Sequence, residues 1–255
     1  MAIKNLCQIK ILMDERKHGG GTPQSTSRAV LPAYDRKESR KPTADPDPQL
    51  RMNDVVKADA RGRRWFRMGT LNVGSMAKRS GEVADMLCRR KVDVCGLQEV
   101  RFKNEGVKFL QGRQKMRYKM FWKGGKEGQN GVGIAVREEW VGSVVRVMRA
   151  SERLMAVELI LEGELVTFVS VYAPQVSRPQ EEKDEFYDEL YRFVSKLKGR
   201  YVVLGDLNGH VGRDVDGYEG VHGGKGFGDR NAEGEAILEF AMCFGLVVAN
   251  TFFTK

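Results

Sequence analysis

Four polar residues stand where apolar runs stop. Asn72 closes the run that begins at Trp65, Glu99 follows Val92–Leu97, and Asp206 with Asn208 follows Tyr201–Gly205. Glu99 and Asp206 carry hard oxygen donors of the kind that hold Mg2+. Asn72 and Asn208 are neutral and can hydrogen-bond a phosphate oxygen without repelling it. Taken singly, each reads as an ordinary turn residue, because Asp and Asn favour strand ends. Taken together they read as one site. The carboxyl ends of buried strands converge on one edge of an α/β sheet, where ligands and substrates bind.

Strands and helices must alternate to bring these residues together. Trp65–Asn72 reads as a strand entering a Gly/Ser turn, and Ser80 precedes a helix with Val83, Met86 and Leu87 on one face. That helix has Glu82 and Asp85 early and Arg89, Arg90 and Lys91 late, the order its dipole favours. Val92–Leu97 is a short buried strand. Tyr118–Trp122, Gly131–Val136, Val144–Arg149, Leu154–Leu161 and Leu165–Tyr172 follow as strands, with a hairpin turn at Glu162-Gly163-Glu164. Ser177-Arg178-Pro179-Gln180 has the form of a capping box. The helix it opens turns Phe186, Leu190, Phe193, Val194 and Leu197 inward and leaves the acidic run Glu181–Glu189 as its solvated face. Tyr201–Gly205 is another buried strand. A Gly-rich loop over 209–228 leads to a helix at Ala232–Phe244, closed by Gly245, and Leu246–Asn250 begins one more strand. Alternation of this kind is the pattern of a mixed α/β fold.

Charge narrows the partners. Forty-three Lys and Arg against 34 Asp and Glu give a formal net charge of +9, which favours polyanions. The excess is concentrated in residues 101–126, where nine basic residues face one acid, Glu105. Arg101, Lys103, Lys108, Arg113, Lys115, Arg117 and Lys119 are the candidate nucleic-acid contacts. The interleaved Phe102, Phe109, Tyr118, Phe121 and Trp122 read by themselves as core-facing aromatics. Because the stretch follows Glu99 directly, it is expected beside the site. No apolar run reaches the ~20 residues of a membrane span, and the N-terminus lacks a signal-peptide stretch. Secretion is therefore not expected; the expectation is an intracellular protein, nuclear in preference to cytoplasmic, and a monomer. Cys88, Cys95 and Cys243 sit in apolar segments, as reduced core thiols would. Residues 1–60 hold five of the seven prolines and a single aromatic, Tyr34. They read as a disordered basic leader, with a short amphipathic helix near Ile3–Met13 as its one candidate element.

Four segments carry a family resemblance: Gly69-Thr-Leu-Asn72-Val73, Leu97-Gln-Glu99-Val100, Val171-Tyr172-Ala-Pro174 and Leu204-Gly-Asp206-Leu-Asn208. In this order they resemble the motifs of the endonuclease/exonuclease/phosphatase superfamily. Asn130-Gly-Val-Gly-Ile-Ala-Val136 and Asn250-Thr-Phe-Phe253 are similar to the apurinic-type endonuclease domain of non-LTR retrotransposons and to craniofacial development protein 2-like proteins. The resemblance covers residues 64–255. It implies a four-layer α/β sandwich of two packed mixed sheets flanked by helices. It also implies Mg2+- or Mn2+-dependent hydrolysis of phosphodiesters, with DNA as the expected substrate. Carried over by position, it makes Glu99 a metal ligand with Asn72 beside it in the metal and phosphate site. Tyr172 would hydrogen-bond the scissile phosphate, Asp206 would orient the attacking water, and Asn208 would stabilise the transition state.

One family motif, Ser-Asp-His near the C-terminus, has no counterpart: His18, His210 and His222 do not follow Asp. His210 and His222 read as solvated loop residues. The expectation is a sandwich incomplete at its C-terminus, with turnover impaired. The other expectation is an inactive retrotransposon-derived protein that binds nucleic acid or protein.

Overall fold

Side chains alternating between two apolar surfaces require a strand with a layer on each side, and most of the strands are of this type. The protein, in a computed structural model, is described over residues 10–13, 66–114 and 116–253. In chain order the elements are β1 (Lys10–Met13), β2 (Met68–Asn72), α1 (Ser80–Arg89), β3 (Val94–Gln98), β4 (Glu105–Gln111), β5 (Arg117–Lys123) and β6 (Val132–Arg137). A short 3-10 helix (Glu138–Ser143) leads to β7 (Val144–Ser151), β8 (Leu154–Leu161), β9 (Glu164–Tyr172) and α2 (Gln180–Val194). Then come β10 (Arg200–Asp206), α3 (Ala232–Cys243), β11 (Leu246–Val248) and a 3-10 turn at Ala249–Thr251.

The strands form two mixed sheets, ordered β2-β3-β6-β5-β4 and β11-β1-β10-β9-β8-β7. Between them lies an apolar layer that includes Val94, Ile134 and Phe121 from the first sheet and Val157, Phe168 and Leu204 from the second. On the outer face of the first sheet, Val83, Met86 and Leu87 of α1 pack against Leu71 and Leu97. On the outer face of the second, Phe186 and Leu190 of α2 and Ile237 and Phe240 of α3 cover Val169 and Val203. The order helix, sheet, sheet, helix is the four-layer sandwich expected. The sheets touch closely at Gly96, where a Cβ would lie 2.8 Å from Leu204 Cβ, so a larger residue would wedge them apart.

Two parallel strand pairs, one per sheet, place the chemistry. In β2/β3, Asn72 is level with Gln98; in β9/β10, Tyr172 is level with Asp206. All four strands therefore end at the same rim of the inter-sheet layer. Gln98, fully buried, bridges the sheets just beneath it. Its Nε2 donates to Ser170 Oγ (3.2 Å) and to the Leu204 carbonyl (3.4 Å), and its Oε1 accepts from Thr70 Oγ1 (3.1 Å).

Several expectations need correction. Lys10–Met13 is a strand, antiparallel between β10 and β11, and not part of an amphipathic helix; the remaining residues of 1–60, and Trp65, lie outside the described residues. Ser177 does not cap α2. Pro179 has an extended ψ of 148°, so the helix begins at Gln180 with no side-chain cap. β4 was not anticipated: its burial alternates, but its exposed face carries Val107 and Phe109 and its inner face Gly106 and Lys108, so hydrophobicity does not follow the strand period. The last strand stops at Val248. Of the three thiols, only Cys95 is a core residue; Cys88 is half-buried and Cys243 exposed. The hairpin turn is as expected, with Glu162 and Gly163 both at positive φ. Among the described residues, no helix is long and apolar enough to cross a membrane.

Candidate active site

At the rim, Asn72 joins two carboxylates. Its Nδ2 donates to Glu99 Oε1 (2.9 Å) and to Asp206 Oδ2 (2.8 Å). Its Oδ1 accepts from the Gly74 backbone N–H (2.9 Å), so the amide is a positioning bridge and presents no oxygen to a cation between the carboxylates. The resemblance put Asn72 beside Glu99 in the metal and phosphate site, and here it lies between Glu99 and Asp206 with the donor end of its amide toward both. The Tyr172 hydroxyl also donates to Glu99 Oε1 (3.0 Å), and Arg101 donates to Glu99 Oε2 (2.6 Å). Asn208 is held from two sides. Its side chain donates to the Ala173 carbonyl (2.8 Å), and its backbone N–H approaches Asp206 Oδ1 (3.4 Å).

The backbone is strained where these side chains leave it. Glu99, Arg101 and Asn208 have φ of 54°, 52° and 49°, which costs an L-residue about 1–3 kcal/mol each. Around Glu99 the conformation is imposed by its neighbours. Val73 N–H bonds the Gln98 carbonyl, Met76 N–H that of Val100, and Val100 and Arg101 N–H bond Gly131 and Asn130.

Electrostatics follow from these contacts. Burial alone would raise the Glu99 carboxyl, but hydrogen bonds from Asn72, Arg101 and Tyr172 outweigh it and hold Glu99 below its ordinary value. Burial and the Glu99 charge push the Tyr172 phenol up to about 12, so at neutral pH it remains a donor. Arg153 steadies Tyr172 from behind. It donates to the Tyr172 carbonyl (3.2 Å), lies 5.3 Å from the ring centroid and pairs with Glu182 (2.8 Å).

A cleft of about 550 Å3 opens beside Glu99 and Tyr172, with Arg101, Arg153, Arg178 and Gln175 among its lining residues. Arg153, Arg178 and Gln175 were not foreseen. Arg178 was absorbed into the supposed capping box, and Glu182, read as part of a solvated face, in fact anchors both Arg153 and Arg178.

The basic stretch is less concentrated at the site than its sequence suggested. It folds into the β4–β5 ribbon at a sheet edge, and a seven-residue strand carries its far end roughly 20 Å away. Arg101 lines the cleft, and Lys103 is exposed near it. Lys108 turns to Ser80 of α1 (2.9 Å) and lies over the Phe102 ring. Arg113 is exposed at the far turn, and Lys115 lies outside the described residues. Arg117 pairs with Glu138 and lies over the Phe109 ring. Lys119 is half-buried over Phe121. Tyr118 and Phe121 are core residues as expected, whereas Phe109 is 48% exposed.

His210 is exposed, as expected, but His222 is buried and not solvated, because its ring is held by the loop's own backbone. His222 Nδ1 accepts from the Gly224 N–H and its Nε2 faces the Gly212 carbonyl, both at 3.1 Å.

The donor set fits a cation that keeps much of its water. Among the described residues no group of three or more His, Cys, Asp or Glu could enclose a metal ion, unlike a closed zinc site. Glu99 and Asp206 offer two carboxylates at an open rim, and Mg2+ typically takes one or two carboxylates, waters and substrate phosphate.

Carboxylates and hydrogen-bond donors gathered at the strand ends of both sheets define an α/β sandwich whose site suits phosphoester chemistry. Residues 69–230 match the Endonuclease/Exonuclease/phosphatase family, and the chain belongs to that family. Craniofacial development protein 2 of Bos taurus is 24% identical over 201 residues, covering 74% of this chain and 32% of that protein. The chain thus spans about a third of the length of the curated relatives it matches. Among solved structures it is similar to an AP endonuclease from Archaeoglobus fulgidus, at 19% identity, 70% coverage of each chain and TM-score 0.46. It is also similar to the endonuclease domain of TRAS1, a telomere-specific non-LTR retrotransposon. There the identity is 18%, the coverage 70% of this chain and 69% of that one, and the TM-score 0.44.

Proposed function

We propose that the protein is a divalent-cation-dependent phosphodiester hydrolase of endonuclease type acting on DNA. Family membership supports the hydrolase class. The observation that carries the reading is the single amide joining two carboxylates across both sheets, Glu99–Asn72–Asp206. Glu99 Oε2 and Asp206 are the oxygens that would hold Mg2+ or Mn2+, which when bound supplies Lewis-acid stabilisation of phosphoryl charge. Asp206 orients the attacking water. Asn208 donates toward the phosphoryl oxygens with the second hydrogen of the amide that Ala173 fixes, while Tyr172, whose one hydroxyl proton goes to Glu99 Oε1, holds that carboxylate in place beside them. Arg101 and Lys103, with Lys119 farther along the ribbon, attract the polyanion, and a monomer acting on DNA in the nucleus is the working form. An abasic duplex, an intact duplex and para-nitrophenyl phosphate, each with Mg2+, test the substrate class. Cleavage of duplex with an affinity that falls steeply with salt is expected; turnover of the phosphomonoester alone would overturn the reading.

One observation favours a second reading, a protein that binds nucleic acid or a protein partner without turnover. Both ring nitrogens of His222 are engaged by backbone groups, so this histidine is committed to the loop and not to a proton transfer. Cation-dependent duplex binding with no cleavage at any pH would select it.

A further inference from the structure

Arg101 and a divalent cation compete for the same oxygen. Glu99 Oε1 already accepts two hydrogen bonds, from Asn72 and Tyr172, which fill its two lone pairs. Oε2 is the oxygen left for a cation, and the Arg101 guanidinium sits 2.6 Å from it. A dication on Oε2 would repel a guanidinium at that distance, so both cannot stay. Arg101 has somewhere to go. Its side chain is 53% exposed, and it lines the cleft with Arg153, Arg178 and Gln175. Its backbone is fixed by the Asn130 carbonyl, so only the side chain needs to swing.

We infer that Arg101 is an exchangeable counterion: it holds Glu99 in place until a divalent cation takes Oε2, and then turns into the cleft as a ligand for a backbone phosphate next to the scissile one. The inference rests on the proposed metal-dependent hydrolase and assigns it a substrate class, a phosphodiester chain with at least one phosphate flanking the reacting one. It makes cation and polyanion binding cooperative, since each releases a group that the other needs.

Mn2+ binding by the 255-residue chain, measured by calorimetry without nucleic acid, tests the first half. Arg101→Gln should bind Mn2+ at least threefold more tightly than the wild type, with Arg101→Lys in between, while Glu99→Gln should lose the site. Anisotropy of a phosphorothioate duplex, with EDTA or with Mn2+, tests the second half. Mn2+ should tighten duplex binding in the wild type, and that gain should fall by at least half in Arg101→Gln. A thermal melt of Arg101→Gln near the wild-type value excludes a folding defect. Equal Mn2+ affinity in Arg101→Gln and wild type, with Glu99→Gln deficient, overturns the exchange and leaves the hydrolase reading standing. Mn2+ binding by Glu99→Gln as tight as wild type overturns both.

Discussion

Replacing Asn72 by Asp reverses the sign of the site's pH dependence. Asn72 Nδ2 lies 2.9 Å from one carboxylate oxygen and 2.8 Å from another, so Asn72→Asp brings three carboxylates together. Like charges about 4 Å apart repel by about 4 kcal/mol at an effective dielectric of ~20. Holding a proton on an ordinary carboxyl at pH 7 costs about 4 kcal/mol, roughly three units at about 1.4 kcal/mol each. Two charged neighbours exceed that cost, so the variant takes up a proton on folding. Its carboxyl value is raised in the folded state. Stability is then fully present below about pH 4 and is lost as pH rises through the raised value. Wild-type Glu99 behaves in the opposite way. Its folded value is lowered, so its contribution is present above 4.5 and is lost as pH falls through the folded value. Asn72→Ala, which loses the same hydrogen bonds without adding charge, is the control. Thermal melts in EDTA should show the two variants alike near pH 4. They should separate toward pH 7, with Asn72→Asp lower by up to about 4 kcal/mol, or about 8–16 °C for a domain of this size. Parallel curves from pH 4 to 8 would refute the electrostatic account.

Other expectations rest on single contacts. Gln98→Leu keeps the volume but leaves Ser170 and Thr70 without their bridge, and urea unfolding should show a loss of about 2–4 kcal/mol. Tyr172→Phe removes one donor from the site and no core volume; nicking rates should fall about 10²–10³-fold with the thermal midpoint nearly unchanged. Burial lowers the His222 value below 6.5, so the neutral form is favoured by folding. Its contribution is present above pH 6.5 and is lost as pH falls through the folded value, and circular-dichroism melts of His222→Gln should lack that step.

Much of this was legible in the residue order, for physical reasons. Leu154–Leu161 and Leu165–Tyr172 were readable as strands because both faces meet apolar layers, and the structure keeps those bounds within a residue. Glu99, Asp206 and Asn208 could be assembled because polar residues ending apolar strands have few other places to lie, whereas Tyr172 entered only through the family resemblance. Asn72 was located correctly, but its role depends on which end of an amide faces two carboxylates, and only packing decides that. β4 escaped because its exposed face carries Val107 and Phe109 while its inner face carries Gly106 and Lys108, so its hydrophobicity does not follow its burial. Arg153 and Arg178 escaped because their meaning depends on Glu182, which reaches them from another element. Proximity in sequence overstated the basic stretch, since a strand moves its residues away from Glu99 as fast as it adds charge.

The central proposal is that Glu99 and Asp206, joined by Asn72, would hold a divalent cation at a site where phosphodiesters are hydrolysed. Nicking of supercoiled plasmid by the purified chain tests it directly, comparing wild type with Glu99→Ala in Mg2+ and in EDTA. The account predicts nicking by the wild type in Mg2+ alone, abolished by EDTA and by Glu99→Ala. Equal nicking by Glu99→Ala, or nicking that survives EDTA, would contradict it.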